Sequence, residues 1–354
     1  MRIKTFMVAL CLAGTAHAQL VYKDASSFPL LGKSTTHTLT RYERLPDSLE
    51  HISRAPLWEL GRNSAGLAVR FRSNSTRIAA RWEVRSNMSM SHMTATGVKG
   101  LDLYCLLNGR WAFAGSGRPQ GKSNEAVLVA NMIPEEREYM LYLPLYDGIT
   151  SLEIGVDTLS MLEQPAVRLP MNKEPIVFYG TSILQGGCAS RPGMAHTNIL
   201  SRWLNRECIN LGFSGNGQLD LEIAEVMAAV DASAYVLDFV PNATVEQINE
   251  RAEKFYRILR SKHPRTPILF VEDPIFTHTP FDTKMAREVR EKNEALTALF
   301  RSLLQRGEKN IYFLSSEDII GRDGEATVDG IHFTDLGFMR YARVLYPLLR
   351  RFIE

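Results

Sequence analysis

The chain has 354 residues, of which 45% are hydrophobic and 23% are charged, and its formal net charge is +2. A chain of this length exceeds the usual size of one domain and can bury ample core, so we expect two domains. Lysine and arginine are dispersed along the chain and form no basic stripe. This distribution argues against a nucleic-acid partner.

The first 18 residues have the pattern of a signal peptide. Arg2 and Lys4 precede an apolar run from Phe6 to Ala13, and Ala16-His17-Ala18 forms an A-x-A cleavage site. We therefore predict a signal peptide over residues 1–18, cleaved after Ala18, and export to the periplasm or the medium. The apolar run is too short to span a membrane, so we expect no stable membrane anchor. The alternative is that this segment is a buried amphipathic start of the first domain.

Residues 19–170 contain short runs in which apolar and polar residues alternate, separated by turn residues such as Asn108-Gly109. Such alternation is typical of antiparallel strands with one buried face. It predicts an antiparallel β-sandwich of jelly-roll type. The clearest strands are expected at residues 66–72, 77–84, 101–107, 139–145 and 151–156.

Three tryptophans lie in this predicted sandwich, a fold that often binds carbohydrate. Trp58, Trp82 and Trp111 have the flat apolar rings that stack on sugars, and the alternative is that most of them belong to the core. The fold alone does not assign a binding function.

From Glu174 onward, apolar strands alternate with helical stretches. This alternation predicts a three-layer α/β/α domain over residues 174–354, with a parallel five-stranded sheet and helices on both faces. Residues 168–173 are the expected linker. Strands are expected at residues 175–179, 208–212, 234–240, 267–272 and 310–314, and helices at 245–259, 283–305 and 336–352.

Ser182 follows the first of these strands in a glycine-containing turn, where its hydroxyl would be exposed at the carboxyl end of the sheet. A serine hydroxyl becomes nucleophilic when an imidazole takes its proton and a carboxylate orients the imidazole. Asp329 and His332 are three residues apart just before the last predicted helix. We predict that Ser182, His332 and Asp329 form a catalytic triad.

An acyl-transfer site also needs donors for the oxyanion. Gly212 and Asn242 end or follow the next two strands along the chain, so we predict an oxyanion hole from the Ser182 and Gly212 amides and the Asn242 side chain. The alternative is that Gly212 only makes a turn and that Asn242 caps the helix beginning near Val245.

These residues resemble the four sequence blocks of the SGNH, or GDSL-type, hydrolases. Ser182, Gly212, Asn242 and His332 match the serine, glycine, asparagine and histidine in that order, and Asp329 matches the aspartate of the D-x-x-H block. The resemblance covers residues 174–354 and implies a flavodoxin-like SGNH hydrolase domain there. Departures are Gly-Thr-Ser-Ile in the first block and Asp-Phe-Val-Pro-Asn in the third.

A second resemblance lies in the predicted sandwich. The segment Gly100-Leu101-Asp102-Leu103-Tyr104 is similar to the G-x-D-L-Y signature of an amino-terminal domain that precedes such a hydrolase in a subgroup of bacterial secreted proteins. The two resemblances imply a two-domain esterase of this subgroup.

Together with the predicted export, the resemblance implies a secreted serine esterase that removes short acyl groups, acetyl above all, from a small-molecule or glycan ester through an acyl-enzyme. Two alternatives stay open. One is a carbohydrate-binding protein with a degenerate hydrolase domain, and the other is an acyltransferase or lipase-like acylhydrolase using the same residues. The oligomeric state is open as well.

We expect no cofactor and no structural or catalytic metal, because the chain has no C-x-x-C and because His196, His263 and His278 lack ligand spacing.

Cys188 and Cys208 form a possible disulfide in an exported protein. Cys105 is expected in the core. Four polar residues after the fourth strand of the second domain either line the pocket or lie in a solvated loop: Glu272, Asp273, His278 and Asp282.

Overall fold

The computed structural model describes residues 19–168, 173–317 and 319–354. The predicted signal peptide, the central part of the predicted linker at residues 169–172 and the predicted boundary at residue 170 lie outside the described residues. The strands are β1 (Leu20–Asp24), β2 (Leu30–Leu31), β3 (Ala68–Ser73), β4 (Ile78–Val84), β5 (Leu101–Leu107), β6 (Arg110–Gly117), β7 (Ser123–Val129), β8 (Arg137–Tyr142), β9 (Ile149–Asp157), β10 (Leu162–Glu163), β11 (Ile176–Gly180), β12 (Cys208–Gly212), β13 (Ala234–Asp238), β14 (Ile268–Val271) and β15 (Ile311–Leu314). The α-helices are α1 (Ala55–Gly61), α2 (Ala95–Lys99), α3 (Ser182–Gln185), α4 (His196–Leu204), α5 (Leu221–Ala228), α6 (Val245–Gln247), α7 (Glu253–Lys262), α8 (Thr283–Gln305) and α9 (Asp335–Ile353).

The amino-terminal region consists of two antiparallel sheets. One has the order β1-β9-β4-β7, and the other has the order β10-β3-β8-β5-β6 with β2 paired to β3. Alternate residues of both sheets, such as Phe71 of β3 and Ile154 of β9, meet in one apolar core. At the tip of the β5–β6 hairpin, Asn108 and Gly109 both have positive φ, as a two-residue turn of the mirror-image type requires. The predicted antiparallel β-rich domain is confirmed.

The tryptophans of this region mainly belong to the core and do not form a sugar-binding surface. Trp58 and Trp82 are 5% and 2% exposed, so neither ring offers a face to a sugar. Trp111 is partly buried, and the Arg70 guanidinium lies 4.7 Å from the centroid of its ring.

The second domain has the predicted parallel sheet, in the order β12-β11-β13-β14-β15. Alternate residues of β11 point to opposite faces, with Val177 and Tyr179 in one core and Ile176 and Phe178 in the other. Helices α5 and α7 pack on the first face, and α4 and α9 on the second. The predicted helix at residues 245–259 is α6 and α7 joined by a π turn, Ile248–Ala252. Within the described residues, no helix is long and apolar enough to cross a membrane.

Asp102 of the G-x-D-L-Y segment anchors the loop that follows α3 in the second domain. Its fully buried carboxylate accepts hydrogen bonds from Arg191 Nη1 at 2.6 Å and from the Gly193 amide at 2.8 Å. The Tyr104 hydroxyl accepts from the same Arg191 nitrogen at 2.8 Å. The motif therefore joins the sandwich to the second domain.

Arg44 makes a second junction, at the end of β12. Its buried guanidinium donates to the carbonyl oxygens of Asn210 at 3.0 Å and Gly212 at 2.8 Å, and also to those of Leu60 and Asn63. Burial lowers the pKa of Arg44 to about 9. Because these acceptors are backbone groups, the contact holds the strand end in one place.

The ion pair between Asp102 and Arg191 leads to a prediction about the stability of the protein. Asp102→Ala leaves Arg191 without its counter-charge, and breaking a buried pair from one side costs about 3–5 kcal/mol. We expect a loss of that order in the free energy of unfolding by urea. Glu125→Ala is the matched control, because the Arg81–Glu125 pair has side chains that are 48% and 53% exposed, and its loss should cost less than about 1 kcal/mol. Equal losses in the two variants would refute the anchoring role.

Candidate active site

Ser182 stands at a tight turn from strand to helix. β11 ends at Gly180, and Thr181 caps α3 by accepting a hydrogen bond from the Ile183 amide at 3.3 Å. A Cβ on Gly180 would lie 2.2 Å from the Asp238 carbonyl oxygen of β13, so only glycine fits this crossing. Ser182, the first residue of α3, is 6% exposed.

The structure brings Ser182, His332 and Asp329 into one hydrogen-bonded chain. Ser182 Oγ lies 2.9 Å from His332 Nε2, and His332 Nδ1 lies 2.7 Å from Asp329 Oδ2. The contact with the carboxylate places the proton on Nδ1 and leaves Nε2 as the acceptor for the serine proton. The three predicted residues thus have the arrangement that activates a serine.

The loop that carries Asp329 and His332 is closed by its own backbone. The Val328 amide donates to the His332 carbonyl oxygen at 2.8 Å, and Asp329 Oδ1 accepts from the amides of Ile331 and His332 at 3.1 and 2.8 Å. Gly330 has φ +91°, a conformation that favours glycine. The D-x-x-H spacing therefore places both side chains in one rigid turn.

The Asp329 carboxylate stays ionised in this turn. Partial burial by itself raises its pKa, but hydrogen bonds from the His332 ring and from the amides of His332 and Ile331 outweigh burial and lower the pKa to about 2. Asp329 is therefore negative at every pH at which an imidazole titrates, and it attracts the imidazolium that proton transfer creates.

Gly212 does not provide the predicted oxyanion donor. Its amide already donates to Asn210 Oδ1 at 2.9 Å, and its carbonyl oxygen accepts from Arg44. A Cβ at this position would lie 2.3 Å from the Gln185 amide nitrogen. The glycine is required because α3 passes close to the end of β12, and the prediction for its amide is corrected accordingly.

Asn242 keeps a free donor in the candidate site. Its Oδ1 accepts from the Gly217 amide at 3.2 Å, which fixes the amide orientation and leaves Nδ2 as the outward donor. The alternative role as a helix cap does not apply, because Thr244 caps α6 with a capping box. The Ser182 amide is the first of α3 and has no acceptor within its helix.

A further amide without an acceptor, which sequence reasoning missed, lies in the segment after β12. The Gly215 amide donates to no acceptor among the described residues, and nothing lies within 4 Å of the position of a Cβ there. Ser214 and Gly217 tie this segment to the site, since the Ser214 amide donates to Gln185 Oε1 at 2.9 Å and the Gly217 amide donates to Asn242. The signal available in the sequence was the run Gly215-Asn216-Gly217, which begins three residues after the end of β12.

Residues of the amino-terminal region contact α3, the helix that begins at Ser182. The Tyr146 hydroxyl donates to the Ser182 carbonyl oxygen at 3.0 Å. Gln185 Nε2 donates to Asn63 Oδ1 and to the Leu145 carbonyl oxygen, both at 3.0 Å. The position of α3 thus depends on both domains.

His92 is a further residue that the sequence analysis missed. It lies in the sandwich region, yet its ring centroid is 5.2 Å from that of His332. One ligating atom each of His92, Cys188 and His332 lies within 4.8 Å of the other two.

Cys188 and Cys208 are both free thiols, as is Cys105, so the possible disulfide is not formed in this structure.

The residues after β14 separate into different roles. His278 Nδ1 lies 3.0 Å from the Gly330 carbonyl oxygen and so supports the turn that carries Asp329 and His332, whereas Asp282 caps α8. Glu272 lines a cavity of about 520 Å³ beside α8, which none of the triad residues lines. Asp273 is buried, and burial raises its pKa to about 8.

Comparisons with known proteins fit this geometry. Residues 173–350 match the GDSL-like lipase/acylhydrolase family, and residues 20–162 match the N-terminus of SGNH-hydrolase-type esterases. The chain belongs to the GDSL-like lipase/acylhydrolase family. It is an esterase or acylhydrolase with the two-domain organisation that the G-x-D-L-Y segment implied.

Solved structures share the fold over nearly the whole chain. A protein described as a GDSL-like lipase from Bacteroides ovatus ATCC 8483 is 41% identical, with a TM-score of 0.90 and coverage of 95% of this chain and 98% of that chain. The salicylyl-acyltransferase SsfX3 of a tetracycline biosynthetic pathway is 17% identical, with a TM-score of 0.73 and coverage of 93% and 95%. A family two carbohydrate esterase from Cellvibrio japonicus is 13% identical, with a TM-score of 0.59 and coverage of 95% and 98%. No curated protein matches the sequence significantly.

Proposed function

We propose that this enzyme hydrolyses short acyl esters, acetyl esters of carbohydrates above all, through a covalent intermediate on Ser182. The observation that carries the proposal is the hydrogen-bonded chain from Ser182 Oγ through His332 to Asp329, with contacts of 2.9 and 2.7 Å. This chain pairs a nucleophile with a general base and the base with an orienting carboxylate.

The first half of the reaction forms the acyl-enzyme. Ser182 Oγ attacks the ester carbonyl carbon while its proton passes to His332 Nε2, and the carbonyl electron pair moves to the oxygen. When this tetrahedral oxyanion collapses, the bond to the leaving alcohol breaks and the alcohol oxygen takes the proton from Nε2. Asp329 holds the imidazole in place and attracts its positive charge throughout.

The second half frees the enzyme. A water molecule attacks the acyl carbon and gives its proton to His332 Nε2. Collapse of the second oxyanion breaks the bond to Ser182 Oγ, which recovers the proton, and the carboxylic acid leaves. We assign the oxyanion to the amides of Ser182 and Gly215 and to Asn242 Nδ2, because each of these donors has no acceptor among the described residues.

The surroundings of Ser182 support a hydroxyl-rich leaving group. The segment after β12 and the segment after β13 bring Ser214, Asn216, Gln218 and Asn242 to the same edge of the sheet. Arg54 of the sandwich donates to Asn216 Oδ1 at 2.8 Å and holds this edge in place. Amide and hydroxyl side chains suit sugar hydroxyls better than a long aliphatic chain, and the structural likeness to a carbohydrate esterase agrees.

We also propose that the protein is exported, on the pattern of residues 1–18. Export would bring the enzyme to polymeric glycans outside the cytoplasm. The sandwich would then form one side of the active site. It would not act as a separate sugar-binding module, because the rings of Trp58 and Trp82 are buried and cannot stack on a sugar.

Acyl transfer to an alcohol is the second candidate, and the likeness to a salicylyl-acyltransferase over 93% of this chain favours it. The same acyl-enzyme serves both reactions, and the second nucleophile distinguishes them. Product analysis in the presence of an acceptor sugar separates the two, because hydrolysis yields free acid and transfer yields a new ester.

The esterase assignment is tested with Ser182→Ala. We expect acetate release from acetylated oligosaccharides and short nitrophenyl esters to fall on the order of 10⁴-fold or more, because the covalent route is lost. Ser261→Ala, which changes an exposed serine in the same domain, is the control and should retain full activity. Acetate release that is the same in both variants would disprove the role of Ser182.

The oxyanion assignment is tested with Asn242→Asp. The new carboxylate keeps an acceptor for the Gly217 amide but removes the donor and adds a negative charge, so we expect kcat to fall about 10²–10³-fold, with a much smaller change in KM. Asn249→Asp makes the same chemical change at an exposed position and should leave kcat unchanged. If both variants keep the parental kcat, Asn242 is not an oxyanion donor.

A further inference from the structure

Two histidines and a cysteine converge beside the candidate nucleophile from three distant parts of the chain. His92 comes from the sandwich, Cys188 from the loop after α3, and His332 from the turn before α9. One ligating atom of each lies within 4.8 Å of the other two. The spacing of these residues along the sequence does not indicate a common site.

Imidazole nitrogen and thiolate sulfur are the ligands that zinc prefers. In a tetrahedral zinc site, bond lengths of about 2.0–2.3 Å place neighbouring ligand atoms roughly 3.3–3.6 Å apart. The three atoms lie within 4.8 Å of one another, so the separations need to shorten by up to about 1.2–1.5 Å. His92 lies in an irregular segment and is partly exposed, so its side chain has room for this movement.

The neighbours of these ligands suit a bound cation. Asp329 Oδ2 contacts His332 Nδ1 at 2.7 Å, and a carboxylate on the second nitrogen of a ligating histidine orients the ring and increases its basicity. Because Nδ1 is held by the carboxylate, His332 Nε2 is the ring nitrogen left to bind a metal ion. The His92 ring nitrogens make no hydrogen bond to any described residue, and the ring contacts His332.

We propose that His92, Cys188 and His332 bind one zinc ion, or another divalent ion of similar ligand preference, and that this ion switches off the active site. Binding replaces the proton on the Cys188 sulfur, which passes to the solvent, and forms bonds to one nitrogen of each histidine. The fourth position of the tetrahedron is left for water or for Ser182 Oγ, which lies 2.9 Å from His332 Nε2.

Inhibition follows because the ion and the serine proton compete for the same lone pair. A metal on His332 Nε2 prevents that nitrogen from accepting the proton of Ser182. Removing the ion with a chelator restores the base. This inhibitory consequence rests on the proposed function, whereas the binding of the ion does not.

Binding is tested without any activity measurement in the Ser182→Ala protein, which keeps all three ligands. Titration with Co²⁺ should reach one ion per chain and produce a near-ultraviolet thiolate-to-cobalt charge-transfer band, and added Zn²⁺ should abolish the band. Further change of His92 to Ala should weaken Co²⁺ binding at least about tenfold. Further change of Cys188 to Ser should remove the band.

Matched controls are Cys105→Ser and His51→Ala in the same background, which change a cysteine and an exposed histidine outside the cluster. Both should bind Co²⁺ as the Ser182→Ala protein does. The absence of a saturable band in the Ser182→Ala protein, or a band that survives both the His92 and the Cys188 changes, overturns the proposal.

The inhibitory part is tested separately with the unmodified protein. Zn²⁺ should reduce ester hydrolysis reversibly, with full recovery after chelation, and His92→Ala should raise the half-inhibitory Zn²⁺ concentration at least about tenfold. Co²⁺ binding in a protein without esterase activity would uphold the site and refute the proposed function. Inhibition that is equally strong in His92→Ala would refute this site.

Discussion

The candidate site depends on three parallel strands that end in register. Gly180 of β11 pairs with Gly212 of β12 on one side and with Asp238 of β13 on the other, so the segments that follow all begin at one level of the sheet. These segments carry Ser182, Gly215 and Asn242. A parallel sheet brings its carboxyl ends to one edge, and close packing at the two glycines lets the turns cross there without side chains between them.

The amino-terminal domain takes part in this site, and its signature segment has a mechanical role. Asp102 and Tyr104 hold Arg191 in the loop after α3, and Arg44 holds the carbonyl end of β12. Tyr146 contacts the Ser182 carbonyl oxygen. The Tyr146 contact reaches Ser182 itself, and the other contacts hold the loop after α3 and the end of β12, so we expect the geometry of Ser182 to depend on the docking of the sandwich.

The pattern of apolar residues was sufficient to predict the architecture. Strands whose apolar and polar residues alternate, and strands that alternate with helices, can pack in only a few arrangements. The D-x-x-H spacing placed Asp329 and His332 together because the contact is local. Gly212 was misassigned because the Asn210 side chain, two residues away, takes its amide, a competition that residue types do not reveal.

His92 and Gly215 could not be recognised from the sequence for different reasons. His92 reaches His332 only through the docking of two domains, across 240 residues of chain. The role of Gly215 depends on which amides remain free after the loop has folded. The role of the tryptophans could not be predicted from the sequence, because an aromatic ring in a sandwich packs equally well in a core or on a sugar. Only the burial of each ring in the folded structure distinguishes the two roles.

The proposed mechanism requires Ser182 to act as a nucleophile that is activated through His332 and Asp329. The most direct measurement is the reaction of the protein with an organophosphate ester, followed by intact-mass analysis and peptide mapping. We expect one phosphoryl group per chain, on Ser182, formed far more slowly in Asp329→Asn. Modification of another residue, or a rate on Ser182 that does not depend on Asp329, would contradict it.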